Sequence, residues 1–128
     1  MKKKILIVED DYGDRFVLER RLKKDNYDVI IAETVNDAIN IIEKEHFDLA
    51  IIDIRLPEKK DMKGERDMEG GYRVAEKLKG KNIPFIFTTV YDSEEGVKRG
   101  MDLGAKDFFI KPFSTIALVD RIREVLHA

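Results

Sequence analysis

The sequence predicts an α/β fold: an open five-stranded parallel sheet with helices on both faces, in a single domain of 128 residues. Three observations carry this. Short apolar runs alternate strictly with stretches of helical periodicity, five of each, the pattern of parallel strands joined by right-handed crossover helices. The run Leu49-Ala50-Ile51-Ile52 is apolar without alternation, as a strand covered on both faces requires. The polar exceptions fall where strands give way to loops: Glu9-Asp10, Asp53, Thr89 and Lys111.

The elements follow in order. Lys4 to Val8 is the first strand. Asp11-Tyr12-Gly13 reads as a turn, and Asp14 as the N-cap of a helix over 15–24 with Leu18 and Leu22 on one face. Tyr27 to Ala32 is the second strand. Thr34 or Asn36 caps a helix reaching about residue 45, with Val35, Ala38, Ile39 and Ile42 as its apolar stripe. The third strand, over 48–52, stops at Asp53, and Pro57 ends regular pairing nearby. The mostly charged segment 58–70 exceeds the roughly two to six residues usual for such a connection, and reads as a solvated loop or a short, marginal helix. Val74, Ala75 and Leu78 mark the third helix, over 72–78.

Pro84 opens the fourth strand, over 85–89. Asp92 or Ser93 caps a helix running through Val97 and Met101. It is the weakest of the five, because Gly96 and Gly100 each cost roughly 1 kcal/mol relative to alanine. The fifth strand, over 106–110, ends at Lys111-Pro112, and Ser114 caps a last helix carrying Ile116, Val119, Ile122 and Leu126.

Composition excludes several function classes. Charged residues make up 39% of the chain, but the signs are mixed and the formal net charge is only -2, which is no polycation for nucleic acid. With no cysteine, neither disulfide nor thiolate chemistry is available, and His46 and His127 are too few for a zinc cluster. The apolar run after the basic N-terminus, Ile5 to Val8, is too short for a signal peptide or a membrane span. A soluble cytoplasmic protein is expected. No GxxxxGK or GxGxxG motif is present to cradle a nucleotide.

In a parallel sheet the four strand ends share one edge, where open α/β sheets place their ligands. Glu9, Asp10 and Asp53 would repel one another there unless one takes a proton or a cation joins them. An all-oxygen ligand set suits Mg²⁺, with Mn²⁺ as an alternative. Lys111 and Thr89 add a positive charge and a donor that can hold a phosphoryl oxygen. Each residue also has a plain reading: acids at strand ends meet water, threonine is a good strand residue, and a lysine before proline suits a solvated loop. Asp11, one residue further on, reads as a solvated turn acid. Coincidence on a single edge favours the functional reading.

Ile7-Val8-Glu9-Asp10-Asp11, Ile52-Asp53-Ile54-Arg55-Leu56-Pro57, Pro84 to Thr89, Gly104-Ala105 and Phe108 to Phe113 together resemble the receiver domain of two-component response regulators. The resemblance covers nearly all of residues 3–126. It implies the strand order 2-1-3-4-5, direct Mg²⁺ binding by Asp10, assistance by Glu9, phosphoryl acceptance by Asp53, and a metal contact from the main-chain carbonyl of Arg55. It further implies that Thr89 and Lys111 bind phosphoryl oxygens, and that a histidine kinase or phosphotransfer protein donates the group from phosphohistidine. Thr89 would then move inward and Phe108 turn into the vacated space. That change alters the surface of the fourth helix, fifth strand and fifth helix, read by a downstream protein target.

Four features depart from the commonest pattern. Phe108 replaces a frequent tyrosine and cannot donate a hydroxyl. Val90 stands where a small residue is usual, so a muted switch is expected. Arg55 and Tyr91 occupy positions that tune phosphate loss, and their bulk predicts a long-lived aspartyl phosphate. The charged insertion at about 58–70 is either a tolerated surface loop or an element that selects partners or covers the site. Two alternatives stand beside this reading: a pseudo-receiver that binds without phosphorylation, and a small Mg²⁺-dependent phosphatase using Asp53 as nucleophile. Residues 1–128 read as one stand-alone receiver domain, monomeric or weakly dimeric, with output through protein binding, no direct nucleic-acid contact and no membrane insertion.

Overall fold

The computed structural model describes residues 2–60, 66–67, 69–90 and 93–127. The elements are β1 (Lys4–Val8), α1 (Tyr12–Lys24), β2 (Asp28–Ala32), α2 (Val35–Lys44), β3 (Leu49–Asp53), β4 (Leu56–Pro57), β5 (Arg66–Asp67), α3 (Gly70–Gly80), β6 (Phe85–Thr89), α4 (Glu94–Asp102), β7 (Phe108–Ile110) and α5 (Thr115–His127). Five strands form one sheet in the order β2-β1-β3-β6-β7, and every pairing in it is parallel. Counted alone, these five strands follow the expected order 2-1-3-4-5.

Strand alternation divides the core in two. Leu6, Val8, Ala50, Ile52, Phe85 and Phe87 face α2 and α3, and pack with Val35, Ala38, Ile42, Val74, Ala75 and Leu78. Ile5, Ile7, Leu49, Ile51 and Ile86 face the other way, onto Leu18 and Leu22 of α1 and Leu118, Val119 and Ile122 of α5. The apolar runs are therefore continuous because each face has its own layer of helices. The register sets Val8 beside Ile52, and Ile52 beside Phe87, so the ends of β1, β3 and β6 lie level.

Several local expectations shift. The cap of α1 is Asp11, not Asp14: the Asp11 side chain accepts from the Asp14 amide at 2.9 Å, and the helix starts three residues earlier. Thr34 rather than Asn36 caps α2, and Ser93 caps α4. Ser114 accepts from the Ala117 amide at 3.2 Å, as expected for the start of α5. The fifth strand is shorter than the expected 106–110, beginning at Phe108.

Among its described residues, the stretch after Asp53 contains a two-stranded antiparallel pair, Leu56 opposite Asp67 and Pro57 opposite Arg66, and 3-10 conformation at Lys60. Leu56 is fully buried, and Glu58 is tied down by its carbonyl, which accepts from Asn36, and by an ion pair with Arg73 of α3. Residues 61–65 and 68 of the expected insertion lie outside the described residues.

Two glycines permit close approach. A Cβ at Gly71 would lie 2.6 Å from the Asp53 carbonyl oxygen and 2.6 Å from the Ile54 Cα. A Cβ at Gly100 would lie 2.4 Å from the edge of the Phe108 ring. The obstacle is backbone in the first case and a rotatable ring in the second. Gly71→Ala is expected to lower stability by about 1–3 kcal/mol through overpacking. Gly100→Ala should cost less, because a helix-propensity gain of about 1 kcal/mol offsets part of the displacement of the Phe108 and Phe87 rings. Denaturant midpoints at unchanged slope test the contrast, and equal costs would contradict it.

Candidate functional site

The site is built where β1 and β3 end. The β1 ladder extends one residue, with the Glu9 amide donating to the Ala32 carbonyl at 3.0 Å. Because β1 and β3 are in register, Glu9 and Asp10 arrive beside Asp53. All three are buried, and each offers a carboxylate oxygen lying within 4.8 Å of the others. The turn beneath them is held by Arg15, whose guanidinium donates to the carbonyls of Asp10 at 3.2 Å and Glu9 at 3.5 Å and pairs with Glu33 at 3.5 Å.

Lys111 reaches this cluster from the far end of β7. Its ammonium donates to Glu9 Oε1 at 2.5 Å, Asp14 Oδ2 at 2.9 Å and Asp53 Oδ2 at 3.0 Å. Its amide donates to the Thr89 carbonyl at 2.7 Å, which fixes the lysine backbone to the end of β6. The Lys111–Pro112 peptide is cis. The other Asp53 oxygen, Oδ1, accepts from the Arg55 amide at 3.1 Å. The Gly71 amide donates to the Ile54 carbonyl at 2.8 Å, so α3 starts directly against the loop that carries Asp53.

The charges are strained in a definite sense. Burial, then the neighbouring charge of Asp53, push the Glu9 carboxyl up to about 8, against the opposing pull of Lys111. Burial draws the Lys111 ammonium down, but Asp53 and Glu9 outweigh it and hold the group above the ordinary lysine range. The crowding thus favours the protonated form of Glu9 and the charged form of Lys111. The donor set is hard oxygen throughout, without nitrogen or sulfur, and fits a small divalent cation such as Mg²⁺ or Mn²⁺.

The sequence-predicted residues divide clearly. Glu9, Asp10, Asp53 and Lys111 come together. Thr89 is the buried last residue of β6, beside Ile110 in the register and touching Lys111 through its carbonyl. Phe108 lies on the α2–α3 side of the sheet, 5.2 Å from the Phe87 ring centre and directly under Gly100 of α4. Arg55 meets Asp53 through its amide. Val90 is exposed, so its bulk borders solvent and not the core. Tyr91 lies outside the described residues.

Two features were not anticipated. Asp14 abandons the expected capping role and pairs with Lys111; the Asp11–Asp14 spacing signals a helix start but gives no hint of the lysine. Tyr72 ties α3 to α4, donating to the Gly96 carbonyl at 3.1 Å, while Arg99 lies 4.3 Å from its ring centre and pairs with Glu69. Beside Lys111, a cavity of about 430 Å³ is lined by Asp14, Val17, Val90, Pro112 and Phe113.

The family model described as "Response regulator receiver domain" matches residues 5–123. Among solved structures, a CheY-like response regulator receiver domain protein from Methanospirillum hungatei JF-1 is 32% identical, with a TM-score of 0.86 over 99% of this chain and 95% of that one. The non-phosphorylated HemR receiver domain from Leptospira biflexa is 35% identical, with a TM-score of 0.82 over 99% and 96%. The BeF3-activated DrrB receiver domain is 26% identical, with a TM-score of 0.84 over the full length of both chains.

The raised Glu9 carboxyl has a signed consequence. The folded state favours its protonated form, so the associated stability is full below about pH 4.5 and is lost as pH rises through about 8. Denaturant unfolding with a chelator present should show stability falling across that window, and Glu9→Gln should flatten the fall. A wild-type profile as flat as that of the variant would contradict it.

Proposed function

The chain belongs to the response regulator receiver domain family, and from that premise we propose that it accepts a phosphoryl group on Asp53 from a phosphohistidine of a histidine kinase or phosphotransfer protein. Receiver domains are signalling modules of two-component systems that interact with such donors and with downstream targets. The observation that carries the assignment of Asp53 is the shared ammonium of Lys111, which joins Asp53 to Glu9 at the level end of the sheet.

In this reading Glu9, Asp10, Asp53 and the main-chain carbonyl of Arg55 hold Mg²⁺. When bound, the ion supplies positive charge against the phosphoryl oxygens. A carboxylate oxygen of Asp53 attacks phosphorus in line; the new P–O bond forms as the P–N bond to imidazole breaks, and the electron pair leaves with the nitrogen. Lys111 and Thr89 stabilise the transferred oxygens, and the Arg55 amide orients the nucleophile. The bulk of the Arg55 side chain slows the approach of water and lengthens the life of the acyl phosphate.

The switch follows from position. Thr89 ends the strand whose Phe87 touches Phe108, and Phe108 lies under Gly100 of α4. A displacement of Thr89 is therefore passed by packing alone to β7 and α4, since phenylalanine has no hydroxyl. For docking, α1 offers exposed Tyr12, Phe16 and Val17, an apolar strip beside the cavity that opens at Lys111. A donor seated there brings its imidazole to Asp53.

Incubation with acetyl phosphate and Mg²⁺ should add one phosphoryl group by intact mass to the wild type and none to Asp53→Asn. An unmodified wild type, or a modified Asp53→Asn, would contradict the assignment. Phe16→Ala should slow transfer from the phosphohistidine donor about tenfold, the loss of roughly 1–2 kcal/mol of anchor contact, and leave acetyl phosphate modification unchanged. Equal effects on both donors would remove the docking role of α1.

A further inference from the structure

An ammonium has three N–H donors, and all three of Lys111 are committed: to Glu9 at 2.5 Å, Asp14 at 2.9 Å and Asp53 at 3.0 Å. A phosphoryl oxygen arriving at Asp53 needs one of them. The three acceptors are unequal. The side chains of Glu9 and Asp53 are 2% and 10% exposed and belong to the carboxylate cluster, whereas that of Asp14 is 47% exposed and comes from the first turn of α1. Detaching Glu9 would leave its buried Oε1 without the lysine donor, which is costly. Detaching Asp14 returns a carboxylate to water, beside an open cavity that it already lines. The Asp14 amide stays bonded to the Asp11 side chain, so release needs a side-chain rotation and no movement of the helix.

Resting on the reading of Asp53 as phosphoacceptor, we propose that Asp14 is a positioning residue. It holds the third N–H of Lys111 while Asp53 is bare and yields it to the incoming phosphoryl oxygen, and so sets the affinity of the site for phosphoryl-like anions. Asp14 opposes occupancy and makes the empty state the better satisfied one.

The test is titration of the full chain with beryllofluoride in saturating Mg²⁺, followed by backbone amide shifts. Asp14→Ala should bind about threefold to fivefold more tightly than wild type, the worth of an exposed ion pair. Asp14→Glu, which restores the competing carboxylate, should stay within about twofold of wild type. The gain should shrink but not vanish from about 0.05 to about 0.5 M salt, because the Asp14 side chain is 47% exposed while that of Lys111 is only 12% exposed. Asp14→Ala binding no more tightly than wild type would overturn the inference. A gain that vanishes at high salt would also overturn it, since general repulsion by an exposed charge then suffices. If the wild type itself binds no beryllofluoride in Mg²⁺, the reading of Asp53 fails and this inference with it; a wild type that binds while Asp14→Ala gains nothing sinks this inference alone.

Discussion

The ammonium of Lys111 is the contact on which the site depends. It joins Glu9 and Asp53, residues 102 and 58 positions away in sequence, that the sheet has brought to one edge. Buried carboxylates this close are tolerated only when a counter-charge or a proton accompanies them. The lysine supplies one and the raised carboxyl of Glu9 supplies the other. In the proposed reading, a divalent cation would take the place of the proton, and a phosphoryl oxygen would take the place of one carboxylate on the lysine.

Around that contact the fold is stiff on one side and looser on the other. The acidic residues rest on the ends of fully buried strands, with Arg15 pinning the β1–α1 turn and Gly71 letting α3 press against the Asp53 loop. Toward α4 the construction differs. Only Gly100 of that helix is buried, and it is held by the Phe108 ring beneath it and by Tyr72 and Arg99 at its side. Few buried contacts make α4 the element most easily moved. Glu69, which pairs with Arg99, lies in the insertion, so the extra residues and the α4 side of the site share a contact.

Much of this was legible in the sequence because burial on both faces leaves continuous apolar runs, and Ile5–Val8, Leu49–Ile52 and Phe85–Phe87 are such runs. Glu9, Asp10, Asp53 and Lys111 stood out as charges terminating them. What the pattern could not supply were contacts that follow from the approach of separate elements. Asp14 looks like a cap because Asp residues at a helix start usually are; that role falls to Asp11, and the freed carboxylate finds a lysine nearly a hundred residues away. Val90 reads as a bulky intruder by position, yet the strand has ended and its side chain points to solvent. The β4–β5 pair escapes notice because two-residue strands carry no periodicity.

The account turns on whether Asp53, Lys111 and a cation act on one phosphoryl group together. A crystal structure of the chain with Mg²⁺ and beryllofluoride tests this most directly. It should show beryllium on an Asp53 oxygen, the cation against Asp10 and Asp53, and a fluorine within hydrogen-bonding distance of the Lys111 ammonium. An adduct on another residue, or one in which the lysine ignores the fluorines and keeps its bond to Asp53, would contradict it.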